Sequence, residues 1–318
     1  MSDSRANIIG VLSAVGAAVC FSINDTAIKF LSGDYALHQI VLIRAAIGMA
    51  ILLAVIFPMQ GGTKNFKTRR LPMHVLRALF VVAANFFFFL GLAAMPLADA
   101  AAIFFVSPLF VTVLSVVILG EHVGPRRWMA VGVGLLGVII VMRPGTASFQ
   151  LASLLPVAAA LGYALLHITT RWIGPTESPA TMTFYIQLVF IVVTAVIGLA
   201  LGDGRFAGQD DPSLEFLLRA WIWPDPADTF LFLLIGAAST GGGYLISQAY
   251  RLCEAGLAAP FEYVALPLAI FWGVVVFGDW PDLISWLGTS LIMLGGLYMF
   301  WREAMSSGGS LANQPYRK

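Results

Sequence analysis

Residues 98–119 read Ala98-Asp99-Ala-Ala-Ala-Ile-Phe-Phe-Val-Ser-Pro108-Leu-Phe-Val-Thr-Val-Leu-Ser-Val-Val-Ile-Leu119, with one charge near the start. A helix needs roughly 20 mostly apolar residues to span a bilayer, and this run supplies them. The rest of the chain has the same character. Hydrophobic residues make up 59% of its 318 residues and charged ones 11%, and the mean hydropathy is +0.87. Soluble domains carry about 25% charged residues, so this chain has too little polar surface to cover a globule in water. Ten apolar runs are expected to form helices: 8–31, 36–57, 73–93, 98–119, 127–143, 152–171, 181–201, 228–250, 256–277 and 283–301. Turn residues separate them, such as Ser32-Gly33-Asp34, Met95-Pro96, Pro144-Gly145 and Gly174-Pro175. Strands of a membrane barrel are shorter, near ten residues and alternating, so the expected class is an all-α integral membrane protein. The run at 8–31 is too long for a signal-peptide core and reads as a retained first helix.

Other chemistries find little support. The net charge of +1 gives no basic field for nucleic acid. Cys20 and Cys253 fit neither a disulfide framework nor a zinc pattern. There is no His-Glu-x-x-His, Gly-x-Ser-x-Gly or Walker A sequence. No cofactor, metal or catalytic group is therefore expected. The lysines and arginines set the orientation. With a cytoplasmic N-terminus, the inner segments hold Arg5, Lys64, Lys67, Arg69, Arg70, Arg126, Arg127, Arg171, Arg251, Arg302, Arg317 and Lys318, twelve in all. The outer segments hold three, Arg143, Arg205 and Arg219, while Lys29, Arg44 and Arg77 lie within runs. The expectation is a multi-pass protein of the cytoplasmic (inner) membrane with both termini inside. Residues 202–227 form the longest outer loop, an acidic one in which Trp221 and Trp223 read as an interfacial anchor.

The halves repeat. Glu121, Trp128 and Gly137 recur as Asp279, Trp286 and Gly295 at a shift of 158. Phe21, Asp25, Lys29 and Phe30 match Tyr163, His167, Arg171 and Trp172 at 142, and Arg44 falls opposite Gln187 at 143. Pro108 and Pro267 correspond with a one-residue gap. Five runs per unit force the second unit to enter from the opposite side, so the fold expected is two inverted five-helix repeats, residues 8–143 and 152–301, with a cytoplasmic tail at 302–318. Inverted repeats are a hallmark of secondary transporters, with substrate near the midplane.

The stretch from Pro96 to Phe110, running on to Gly120-Glu121 and Arg127-Trp128, resembles the first repeat of the EamA family. Pro260-Phe-Glu-Tyr-Val-Ala-Leu-Pro267, followed by Phe277-Gly-Asp-Trp-Pro281, resembles the second, with Asp279 where the family usually has Glu. EamA proteins belong to the drug/metabolite transporter superfamily. The resemblance covers about residues 8 to 301. It implies ten helices, cytoplasmic termini and transport of a small organic metabolite, and family members export amino acids and drugs or import riboflavin or S-adenosylmethionine. A passive channel, a membrane scaffold or an intramembrane enzyme are the alternatives. The partners expected are a small-molecule substrate and the bilayer, with no nucleic acid and with a homodimer left open.

Polar residues inside the runs are the candidate pathway, because a charge at the bilayer centre costs about 2.5–3.5 kcal/mol on insertion scales. Asn24 and Asp25 sit toward the outer end of the first run, where Asp25 either pairs with Lys29 four residues on or lines an outer mouth. Arg44, eight residues into the second run, suits an anionic substrate group or Asp25. Asn85, Gln187 and Gln248 offer amides to a cavity or to a neighbouring helix. His167 and Glu262 are, with Asp25, the groups best able to carry protons. Tyr163, Phe86 and Tyr244 can stack on an aromatic ligand or simply pack. Pro108 and Pro267 interrupt the helical ladder and free carbonyls as ligands or hinges. Gly132, Gly134, Gly137, Gly295 and Gly296 permit close helix packing.

Overall fold

The structure is a computed structural model. It describes residues 3–59, 62, 66–120, 124–145, 150–173, 178–252 and 259–307. Glu121, Cys253, residues 256–258 of the ninth run and the tail beyond Ser307 lie outside the described residues, as do the side chains of Arg126, Arg127 and Arg171.

Each apolar run becomes helix, because unpaired backbone polar groups are too costly in an apolar solvent. The helices are α1 (Asp3–Leu31), α2 (Leu37–Ile51), α3 (Leu71–Ala94), α4 (Leu97–Phe104), α5 (Ser107–Leu119), α6 (Pro125–Met142), α7 (Leu154–Ile173), α8 (Pro179–Leu201), α9 (Pro212–Leu218), α10 (Thr229–Leu252), α11 (Ala265–Trp272) and α12 (Leu283–Ser307). A π-helical segment, Leu52–Ile56, and a short turn, Phe57–Met59, extend α2; a 3₁₀ segment, Ala259–Val264, precedes α11 and a π segment, Gly273–Phe277, follows it. Among the described residues seven helices are long and apolar enough to cross a membrane, and three shorter apolar ones cover Trp128–Met142, Phe261–Phe277 and Leu283–Tyr298. Large side chains face outward along them, Leu199 and Leu283 each at 84% exposure, as in a protein solvated by lipid.

Helix ends follow local chemistry. Gly120 closes α5 at φ 69° and Gly278 closes the π segment at φ 71°. Both are left-handed positions that cost other residues a Cβ clash, and they lie 158 apart, the shift of the sequence repeat. Ser178 caps α8 by accepting from the Thr181 amide, with Pro179 in the first turn. Span four is not one helix: α4 stops at Phe104, and Pro108 lies in the first turn of α5. Pro267 lies just inside α11, after the 3₁₀ segment. α12 continues past residue 301 to Ser307.

The main helix pairings are α1 with α10, α3 with α7, α6 with α12 and α2 with α8. Glycine sets the α6–α12 distance. A Cβ on Gly137 would lie 2.7 Å from the Gly288 carbonyl oxygen, and one on Gly295 would lie 3.1 Å from the Ala130 oxygen. Gly134 admits Leu109 and Gly296 admits Tyr263, whereas Gly132 faces open space and has no packing role.

At the end of the bundle where α1 stops and α2 starts, residues 202–228 fold into a cap. Trp221 fills a notch left by Gly198 and Gly202 at the C-terminal end of α8 and donates to His38 Nδ1. It thus packs on α8 while remaining 37% exposed, and Trp223 stands 96% exposed. The Gln39 amide both donates to and accepts from the Ile222 backbone. Tyr35 donates to Asp228 at 2.6 Å and accepts from the Asp225 amide at 2.9 Å. Arg219 donates to the Ser32 carbonyl at 2.9 Å, and Ser213 to the Leu90 carbonyl at 2.7 Å. Glu215 accepts the Gln209 and Gly208 amides, which hold its carboxyl below the usual range.

Candidate functional site

Two groups of buried polar side chains occupy the bundle. The first lies between α1, α2, α3 and α8. Arg44 is 5% exposed. Its Nη2 donates to Asn85 Oδ1 at 2.9 Å, and its guanidinium lies between the Phe89 and Phe190 rings, 5.6 and 5.1 Å from their centroids. A guanidinium has five N–H donors, and Asn85 takes one. Asp25 is the carboxylate whose field acts on Arg44. Asn24, 3% exposed, donates from Nδ2 to Asp25 Oδ1 at 2.9 Å. Its own Oδ1 and the Ser22 hydroxyl are buried with no hydrogen-bond partner among the described residues.

Lys29 does not pair with Asp25. It reaches the carbonyls of Leu92 and Met95 at the C-terminal end of α3 and lies 5.2 Å from the Phe277 ring centroid. Two carbonyls at the negative end of a helix dipole outcompete a single carboxylate one turn away. One turn along α2 from Arg44, Gly48 makes room for Gln187, whose Nε2 lies 3.4 Å from Thr240 Oγ1. A Cβ on Gly48 would lie 2.5 Å from that oxygen and 2.6 Å from that nitrogen. Gln187 and Arg44 therefore share the seam between α2, α8 and α10.

The second group lies toward the opposite end. Arg77 donates from Nε to Thr170 Oγ1 at 2.7 Å, while its Nη1 is fully buried without a hydrogen-bond partner among the described residues. Its charge acts on Tyr163 and His167, whose rings meet edge-on at 4.6 Å. Glu262, in the 3₁₀ segment, acts on Tyr163 and Tyr263. The sequence marked Tyr163, His167 and Glu262 but passed over Arg77, although an arginine inside an apolar run was signal enough. Gln248, half-buried on α10, joins neither group. Phe86 packs against the apolar core.

A cavity of about 300 Å³ opens at the cap end between the α3–α4 turn, the end of α6 and the start of α12. Arg143 and the carboxylates Asp99, Asp279 and Asp282 line it. Arg143, itself at φ 51°, pairs with Asp282 and donates to Ser285 Oγ at 3.2 Å. The hydrogen bond from Arg143, with the Ser285 amide assisting, lowers the Asp282 carboxyl to about 2. The cavity shares no lining residue with either buried group.

Among known proteins, the model of the EamA-like transporter family matches residues 8–143 and 150–301. A riboflavin transporter of Vibrio cholerae is 29% identical over 96% of this chain and 98% of its own length. One from Rhizobium johnstonii is 28% identical over 95% and 94%. An S-adenosylmethionine uptake transporter of Rickettsia prowazekii is 26% identical over 96% and 97%. A solved crystal structure superposes with a TM-score of 0.62 at 17% identity, over 96% of this chain and 99% of that one.

Proposed function

Since the chain belongs to the EamA-like transporter family, we propose that this multi-pass membrane protein carries a flat, polar-edged metabolite by alternating access and recognises it with Arg44. The carrying observation is the Arg44 guanidinium, buried between two aromatic rings with a single hydrogen bond to Asn85. Burying a charge without full pairing is costly, and a substrate carbonyl or carboxylate would repay that cost. Aromatic faces on both sides suit a planar heterocycle. Riboflavin is the first candidate, S-adenosylmethionine the second and amino acids the third.

The membrane frame of this reading is ten crossings in two inverted repeats, with both termini on the cytoplasmic side of the inner membrane. The helix pairings support it: exchanging each apolar run with its partner five runs on turns α1–α10 into α7–α3 and maps the α2–α8 and α6–α12 pairs onto themselves. Gly120 and Gly278, alike in conformation, support it too. Cysteines placed at Gly33 and Gln209 should react with an impermeant reagent added outside, and those at Asn65 and Gln314 should not. Outside labelling of Asn65 would reverse the orientation. Pro108 and Pro267, each beside a helix interruption, serve in this reading as hinges. Asp25, His167 and Glu262 serve as the proton-carrying groups, and Gln248 joins the pathway in another conformation.

A thermal-shift series on the purified protein tests the substrate, since a ligand at 100 times its Kd stabilises the folded form by about 2.7 kcal/mol. Riboflavin should raise the melting temperature and S-adenosylmethionine should do so less. No shift with riboflavin, S-adenosylmethionine or any amino acid would remove the substrate assignment. In vesicles, uptake should saturate and show counterflow; flux rising linearly with concentration would make the protein a channel. With sodium absent, an imposed pH gradient should drive accumulation, and a final distribution indifferent to it would make the carrier a facilitator.

A further inference from the structure

α3 carries Arg77 and Asn85 on its inner side, eight residues and about 12 Å apart along the helix, while its other interior polar residue, His74, stacks on Tyr185 of α8. Asn85 holds Arg44. Between Arg44 and Arg77 runs an unbroken file of rings. Phe89 lies under Arg44 and 5.5 Å from Phe88; Phe88 is 5.1 Å from Phe104, and Phe104 is 5.3 Å from Tyr163. Tyr163 meets His167 at 4.6 Å, and the charge of Arg77 acts on both.

Core packing accounts for the rings, since Phe88 and Phe89 are buried in the main apolar cluster. It does not account for a guanidinium at each end with donors left over. Among the described residues Arg77 Nη1 is enclosed with no acceptor, and Thr170 satisfies Nε alone. Leaving a buried donor unmade costs about 1–3 kcal/mol, more for a charged group. That cost persists where an acceptor arrives during the working cycle.

We propose that Arg77 is the recognition group of a second, inner station, which takes the same acceptor-bearing edge of the substrate that Arg44 takes at the first. The substrate class is a planar aromatic with a carbonyl or carboxylate edge, handed along the ring file from one guanidinium to the other. Thr170 takes only the Nε donor of Arg77, and Tyr163 and His167 form the wall against which the planar body lies. This rests on the transport reading above and adds a residue and a sidedness to it.

The test uses the full-length protein in vesicles of known orientation, with riboflavin and S-adenosylmethionine as probes supplied from either side. Arg77→Gln should raise the KM from the cytoplasmic side at least tenfold and leave the KM from the outer side within twofold. Thr170→Val, which removes the hydrogen bond to Arg77 and leaves the guanidinium in place, should change the inner KM by less than threefold. Should Arg77→Gln not fold, Arg77→Lys, which keeps the charge and loses the forked geometry, should raise the inner KM at least threefold on its own side only. An Arg77 variant impaired equally from both sides, or a Thr170→Val that reproduces the Arg77→Gln loss, would make the residue a strut between α3 and α7 and overturn the proposal. Wild-type protein that moves neither probe takes down the transport reading and this one together; wild-type transport with a symmetric Arg77 defect takes down this one alone.

Discussion

The cap at 202–228 and the ring file between Arg44 and Arg77 both depend on buried polar side chains, and they use them in opposite ways. In the cap the capacity is spent. Tyr35 donates and accepts, both ends of the Gln39 amide are engaged, Arg219 ties a carbonyl to Glu215, and one oxygen of Glu215 takes two amides. Among the described buried side-chain atoms of the cap, His38 Nε2 alone lacks a full hydrogen bond, and the Leu217 backbone still acts on that ring. In and around the file, capacity is held back: among the described residues Arg44 spends one donor, and Arg77 Nη1, Asn24 Oδ1 and Ser22 Oγ spend none. Satisfied networks rigidify a structure. Unsatisfied ones persist where a ligand completes them, which is where local rules are broken for function. On the proposed transport reading, stability resides in the cap and selectivity in the file, and mutations should separate the two.

The largest separation is expected at Arg44. Arg44→Ala should lower the transport kcat/KM by about 100-fold, the loss of a charged hydrogen bond with its partner left behind. The protein should still fold, with a modestly lower melting temperature, because Asp25 loses its counter-charge and the space between the Phe89 and Phe190 rings is emptied. A fallen melting temperature with normal transport would reverse the comparison. Next comes Gly198→Ala, whose Cβ collides with Trp221. Overpacking of this kind costs about 1–3 kcal/mol, measured by thermal or denaturant unfolding, with substrate KM unchanged. Gly132→Ala is its control with the opposite sign. It meets open space within a helix, and an alanine there should stabilise by about 0.5–1 kcal/mol. Tyr35→Phe should cost about 1 kcal/mol and leave transport alone.

The smallest effect is at Asp282. Its folded carboxyl titrates near 2 against about 3.9 unfolded, so the Arg143 pair stabilises fully above pH 4. That contribution is lost as pH falls through 2. The pair is half-exposed on the Asp282 side, so salt should shrink it. Asp282→Asn should flatten the acid limb of the stability profile between about pH 4 and 2, and an unchanged limb would mean that the pair contributes nothing.

The helices were legible because a run of some twenty apolar residues has one economical fate in lipid. The turns were legible because Gly120, Gly278 and Pro179 stop or start helices by their own backbone chemistry. Cross-helix partners were not, since Arg44 and Asn85 are 41 residues apart and no periodicity joins them. Lys29 misled for the same reason: its spacing from Asp25 is local, and the carbonyls that captured it arrive with α3. Trp221 read as an interfacial anchor because two tryptophans sat in one loop, and its packing partner was not visible. The notch that receives it is made by Gly198 and Gly202, four apart at the C-terminal end of α8, a signal that means something only once α8 and the cap meet. The break between α4 and α5 was visible as Pro108, but its position two residues upstream follows from the proline taking the first turn of the new helix.

The cap belongs to the second half of the chain, yet its anchors Ser32, Tyr35, His38, Gln39 and Leu90 belong to the first. It is a strap between the two halves on one face of the membrane and on one flank of that face. A door fastened along one jamb swings at the other. The other flank here is the cleft between α4, α6 and α12, which an ion pair, Arg143 with Asp282, crosses. Spin labels across that cleft should therefore report large distance changes during turnover, while labels across the strap keep their spacing; equal movement at both would mean the strap slips.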